Sequence, residues 1–225
     1  MTGNGSMATS NSDNLLKPYL VVPLIVVALV WAVFMLQLRP QFDIDAFALY
    51  PRSIAGLTGI ITSPLLHGGW EHLLLNSPPL LVSLVIIGYF YRDIAFRVCA
   101  LVWLTEGMLV WLFGRQVYHI GASGIIYGFI FFILTSGLIR RNRRLAVISL
   151  LVILFYGSMV WGIVPQGNNI SWESHLFGAL TGMVYAILFR HHGPIEDKPI
   201  IDEEPPEEDE YQRFDHRHHH HHKNS

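Results

Sequence analysis

The run Gly121-Ala122-Ser123-Gly124 surrounds a serine with residues too small to cover its hydroxyl. Such a setting exposes the oxygen at a loop-to-helix junction and leaves room for a peptide backbone to approach. A serine hydroxyl becomes a nucleophile only when a base takes its proton, and neutral imidazole is the usual base near neutral pH. Four histidines, His67, His72, His119 and His175, compete for that role. His119 precedes the serine by four residues in a loop. His67 and His72 stand with Trp70, Glu71 and Asn76 at one end of an apolar segment, and His175 opens another. The chemistry open to such a set is hydrolysis with serine as the attacking group.

The elements that must position these residues are apolar. Hydrophobic side chains make up 52% of the 225 residues and charged ones 14%, where a soluble domain carries about 25% charged. Six apolar segments recur, at about 18–38, 73–91, 98–113, 123–139, 145–164 and 174–189. Each is close to the roughly 20 residues that a helix needs to cross a hydrocarbon core of about 30 Å. The runs are apolar all round rather than at every second position, so they read as helices and not as barrel strands. The expected fold is an all-α polytopic membrane protein, with a polar segment at 1–15, a six-helix bundle at 16–192 and a disordered acidic tail at 193–225.

Basic residues in short loops favour the cytoplasmic side. With the N-terminus inside, Lys17, Arg92, Arg97, Arg140, Arg141, Arg143, Arg144 and Arg190 are cytoplasmic, against Arg39, Arg52 and Arg115 outside. The expected topology is therefore N-in and C-in, with the Arg140–Arg144 loop as its main anchor. Segments two, four and six then run inward, which sets Asn76, Ser123 and His175 at a similar depth near the outer face. The fourth segment has 17 residues and a length of about 25 Å, less than the core. Its start should lie below the outer surface, where backbone must be buried in protein or line a water-filled cavity. The outer loop 39–71 contains apolar stretches such as 46–50 and has the makings of short interfacial helices.

Outside residues 193–225 there are 11 basic against 7 acidic residues, while ten acids lie between Glu196 and Asp215. That tail cannot bury enough apolar surface to offset the entropy of ordering. The run His218–His222 reads as a low-complexity end or a tag. Cys99 is the single cysteine, which excludes a disulfide framework and any cysteine-built metal site. No metal, cofactor or nucleic-acid partner is expected. The polar opening and the charged loop after the first apolar run mark that run as a retained span rather than a signal peptide.

Gly124 and Gly128, and again Gly178 and Gly182, repeat at the four-residue spacing that lets two helices come close. Contact between the fourth and sixth segments would bring Ser123 within reach of His175. Glu106, inside the third segment, is expected to be a neutral or hydrogen-bonded interior acid. Glu173, the acid beside His175 in sequence, is expected at the surface.

The stretches 67–76 (His-Gly-Gly-Trp-Glu-His-Leu-Leu-Leu-Asn), 121–128 (Gly-Ala-Ser-Gly-Ile-Ile-Tyr-Gly) and 174–182 (Ser-His-Leu-Phe-Gly-Ala-Leu-Thr-Gly) resemble, in the same order, three motifs of rhomboid intramembrane serine proteases. The resemblance covers about 16–190. It implies Ser123 as nucleophile and His175 as its base in a dyad, His72 and Asn76 joining the Ser123 backbone N–H at the oxyanion, and Tyr127 packed on the histidine ring, with Gly121 and Gly124 as supporting residues. It further implies transmembrane proteins as substrates, the lipid bilayer as the working environment, and the plasma membrane of a bacterium as the location. The chain departs from the family in lacking a Trp-Arg pair in the first outer loop and a Gly-Gly followed by Glu at the cytoplasmic end of the second span. Two other classes compete: a relative that binds membrane helices without cutting them, which would typically lack the serine or the histidine, and a small transporter, which would show inverted repeats or broken helices.

Overall fold

The computed structural model describes residues 17–155 and 171–193. Among them the chain is helical, with seven α-helices: α1 Lys17–Gln37, α2 Gly59–Thr62, α3 Trp70–Phe90, α4 Ala95–Phe113, α5 Ser123–Ile139, α6 Arg143–Phe155 and α7 Trp172–Leu188. Three are long and apolar enough to cross a membrane, over Pro18–Gln37, Trp70–Phe90 and Ala95–Phe113. The expected fourth span coincides with α5, while the helices of the second, third and sixth begin two or three residues before their apolar runs because the helical backbone continues through first turns that hold polar or charged residues. The fifth expected span, 145–164, begins with α6, and its remainder lies outside the described residues. So do 1–15, nearly all of the acidic tail and the run His218–His222.

Large apolar side chains are exposed along α1 (Leu20, Val22, Ile25), α4 (Phe96, Phe113) and α7 (Val184, Leu188). Outward faces of this kind meet lipid rather than water. The inner faces form one cluster in which Val30, Leu73, Leu80, Ile87, Val98, Val102, Ile126, Phe129, Phe132 and Leu145 are buried.

α5 and α7 touch backbone to backbone. A Cβ on Gly178 would overlap the carbonyl oxygen of Gly124, and one on Gly182 would overlap that of Gly128. The glycine spacing therefore does what the sequence suggests: it removes the side chains that would hold the two helices apart.

The loop 39–69, expected on the outer side, holds short helical pieces, though not at 46–50. They fall at Ala55–Leu57, α2 and Ser63–Leu65. α2 seats Ile60 against Gly107 of α4, where a Cβ would lie 2.9 Å from the isoleucine methyl. Residue 49 instead forms an isolated antiparallel bridge with the loop before α5, in which Leu49 N–H donates to His119 O at 3.1 Å and His119 N–H to Leu49 O at 2.8 Å. Indole N–H groups fasten the same loop to α4, Trp103 to Ile60 O at 3.0 Å and Trp111 to Ser53 O at 2.9 Å. At its far end the loop is held to α1 by a reciprocal pair, Gln37 Nε2 to His67 O at 3.2 Å and His67 N–H to Gln37 Oε1 at 3.1 Å.

Candidate active site

Ser123 is the first residue of α5, reached through a turn in which Gly121 has φ 110°. That is left-handed backbone, which favours glycine. Space demands glycine as well, because a Cβ on residue 121 would lie 2.5 Å from His72 Cε1. The Gly121 N–H donates to Ser63 O at 2.9 Å, so the turn is anchored on the outer loop. Ser123 and Gly124 occupy the first helical turn, whose N–H groups have no carbonyl one turn back within the helix. They form a small region of positive potential beside the serine hydroxyl.

His175 lies in the first turn of α7, 9% exposed. Its Nε2 is 2.7 Å from Ser123 Oγ. The imidazole stacks on Tyr127, one turn further along α5, with ring centroids 4.3 Å apart and planes inclined by 9°. Such stacking, with the glycine contact behind it, leaves the ring little freedom to turn away from the serine.

The other histidines are placed differently. Burial holds the His119 imidazole below its usual range, and both its nitrogens are engaged, Nδ1 with Ser171 Oγ and Nε2 with Arg115 O. That removes it from competition for the serine. Burial, followed by the neighbouring His72, lowers His67 to about 4, and its ring meets that of His72 edge to face at 4.9 Å. His72 itself faces the serine loop across Gly121. Gly68 N–H approaches His72 Nδ1 at 3.4 Å, so Nδ1 is the acceptor and the hydrogen of a neutral ring sits on Nε2, the atom turned toward Gly121. One turn along α3, Asn76 is buried, and its Nδ2 makes no hydrogen bond among the described residues.

A model of the rhomboid domain matches residues 55–192 of this chain. An uncharacterised protein of Mycobacterium tuberculosis is 35% identical over 171 residues, covering 72% of this chain and 71% of its own. A second, from Mycobacterium leprae, is 37% identical over 141 residues, 59% of this chain and 56% of its own. The chain belongs to the rhomboid family. A protein of Acanthamoeba polyphaga mimivirus whose name carries the rhomboid label is 32% identical over 135 residues, 55% of this chain and 70% of its own. Family membership and the apolar helices together make this rhomboid an integral membrane protein within a family of intramembrane proteases.

Two acids of this rhomboid are informative. Glu173, expected at the surface, is 3% exposed: the Arg115 guanidinium pairs with its carboxylate, and the Arg115 backbone N–H donates to it at 3.2 Å. A carboxylate this buried needs such partners. The bond to Glu173 also raises the Arg115 pKa. Fifty-eight positions separate the two residues, and no spacing rule joins a loop arginine to a helix-start acid across that interval. Glu106 is interior, and its carboxyl lies with the Ser174 side chain against Gly124 of α5. Ser174, beside His175, and Ser171, one turn before it, bond to each other at 3.0 Å and on to His119, a link that residue type and spacing do not announce.

Proposed function

We propose that this rhomboid is a serine endopeptidase that cuts transmembrane segments near their outer end, with Ser123 as nucleophile and His175 as its base. The observation that carries the reading is the 2.7 Å approach of His175 Nε2 to Ser123 Oγ, with the imidazole stacked on Tyr127. In the first step the Ser123 proton passes to Nε2 as Oγ attacks the scissile carbonyl carbon. The proton then goes to the departing amine, leaving an acyl-serine that water hydrolyses. Negative charge that develops on the carbonyl oxygen is met by the Ser123 N–H, by His72 Nε2–H and by Asn76 Nδ2, donors fixed before the reaction in a site poor in water. The buried, unpartnered Nδ2 supports that role, because burying a donor without an acceptor costs about 1–3 kcal/mol and is retained where the acceptor arrives with the substrate.

Asn76→Ala is expected to lower kcat by roughly 100-fold, about 3 kcal/mol for one of several donors, with little change in KM. Steady-state cleavage of a model substrate measures it, and an unchanged rate removes Asn76 from the site.

A peptide bond inside a helix has its carbonyl occupied and its faces covered, so the segment to be cut must first become extended. Gly and Pro ease this, costing a helix about 1 and 3 kcal/mol relative to Ala. The small residues around Ser123 favour a small residue before the cut. The proposed orientation is N-in and C-in in a bacterial plasma membrane, which places the site toward the outer face. In a single-span substrate reconstituted with the protein, replacing the helix breaker by Leu and, separately, the small residue by Phe should each slow cleavage. If neither does, the unwinding argument fails. For orientation, a cysteine introduced in the Arg140–Arg144 loop should resist a membrane-impermeant thiol reagent applied to intact cells, and labelling would reverse the topology.

A further inference from the structure

Glu106 has no part in the hydrolysis proposed above, yet α4 carries it into the interior, 5% exposed. α5 leaves room for it at Gly124, where a Cβ would overlap a carboxyl oxygen of Glu106. Burying a carboxyl is costly unless it is hydrogen-bonded, and far more costly when it is ionised. Beside it stands Ser174, the residue before His175: the point where that Cβ would sit is 3.1 Å from Ser174 Cβ, which sets the serine hydroxyl to act on the carboxyl. From there the bonds continue, from Ser174 Oγ to Ser171 Oγ at 3.0 Å, from Ser171 Oγ to His119 Nδ1, and from His119 Nε2 to the Arg115 carbonyl at 3.0 Å. Three hydrogen-bonded side chains, from α7 and two loop positions, thus lead from His119 to the residue beside Glu106 of α4.

The last bond fixes the sense of all the others. A carbonyl oxygen only accepts, so His119 Nε2 carries a hydrogen. With a neutral ring, Nδ1 then has a lone pair, Ser171 must donate to it, and Ser174 must donate to Ser171. The Ser174 oxygen is left as an acceptor, and only a carboxylic acid can donate to it from Glu106. With Glu106 ionised, every hydrogen reverses: Ser174 donates to the carboxylate, Ser171 to Ser174, and Nδ1–H to Ser171, which makes His119 an imidazolium. A carboxylate with a neutral imidazole would bring two serine lone pairs together at 3.0 Å. The row is complete only when it holds one proton shared by its ends. Separated charges are expensive in the interior, which favours the uncharged arrangement. Of the charged and titratable groups nearby, Glu173 and Arg115 pair with each other and act on His119 with opposite sign, while His175 faces Ser123 and Tyr127.

We propose that Glu106, Ser174, Ser171 and His119 form a one-proton chain, with Glu106 as the carboxylic acid and His119 as the neutral Nε2–H imidazole, and that this chain holds the first turn of α7 in the position His175 requires. Glu106 is thus a positioning residue. The second half of the proposal rests on the protease reading, and the first half does not.

The test uses the full-length protein in liposomes at neutral pH. Infrared difference spectra between wild type and Glu106→Gln should show the carbonyl stretch of a carboxylic acid, lost in the variant, and Ser174→Ala should shift that band by removing its acceptor. Nitrogen NMR of labelled histidine should report His119 as the neutral Nε2–H tautomer. Absence of the acid band, or His119 found as imidazolium or as the Nδ1–H tautomer, overturns the one-proton chain. Neither measurement needs a substrate, so a wild-type protein that cleaves nothing would defeat the protease reading and leave this result standing. In cleavage, Glu106→Gln keeps a donor toward Ser174 and should stay within about threefold of wild type, whereas Glu106→Leu leaves that hydroxyl unmatched and should lose about tenfold or more in kcat at similar KM. Equal losses in both variants, or no loss in either, overturn the positioning role. Should Glu106→Leu fail to fold, Ser174→Ala serves in its place, with a kcat loss of the same sense expected and wild-type kcat overturning the role.

Discussion

Replacing Ser123 by alanine, or His175 by alanine, is expected to bring cleavage of a single-span substrate down to background, a loss on the order of 10⁴-fold or more in kcat. The two act as a unit. Without the hydroxyl nothing attacks the carbonyl, and without the imidazole the hydroxyl keeps its proton, so the double variant should be no slower than either single one. Ser123→Ala removes one partly exposed oxygen from the start of α5 and should leave thermal unfolding close to wild type, which separates lost chemistry from lost structure. His119→Ala provides the contrast. Both nitrogens of that ring are bonded away from Ser123, so cleavage should remain readily measurable. Substantial turnover by either dyad variant would end the proposed mechanism, and a dead His119→Ala beside an active His175→Ala would move the base to the loop.

The next largest effect is expected at a residue with no reactive group of its own. Gly178→Leu puts a side chain where the carbonyl oxygen of Gly124 already stands. Backbone atoms cannot step aside as a flexible side chain can, so α5 and α7 must separate. Overpacking of this kind costs about 1–3 kcal/mol and sometimes more. The catalytic cost is larger in relative terms, because Ser123 and His175 sit on the two helices being parted and a displacement of about 1 Å at a reacting pair can cost roughly 100-fold. Cleavage and thermal midpoint should therefore fall together. Val184→Leu, on the outward face of α7 where residue 184 is exposed, should change neither. A Gly178→Leu protein with wild-type kcat would show that the glycine contact does not set the distance between the pair.

Run length and composition made the helices legible, since a run of 17 uncharged, largely apolar residues between Ala122 and Arg140 permits little other than α5. Helix starts were less legible. Trp70, Glu71 and His72 lower the local hydropathy of α3, although the hydrogen-bonded backbone continues through them. The serine and histidine could be placed on adjacent helices because the four glycines carry their meaning in sequence: small residues at a fixed interval permit close approach whatever else surrounds them. The burial of Glu173 could not be read in that way. Its cause is Arg115, which as a sequence element is one charge in an outer loop and as a structural element lies against the start of α7. The same holds for Glu106, whose neighbour Ser174 is one hydroxyl among many until the fold brings α4 and α7 together beside Gly124.

The outer loop is joined to the serine loop through main-chain atoms: Leu49 with His119, and Gly121 with Ser63. Amide and carbonyl groups are the same whatever side chain follows them, so these joints impose little on the residue types at 49 and 63. A loop joined in this way keeps the turn that presents Ser123 in shape through atoms that every residue type but proline supplies.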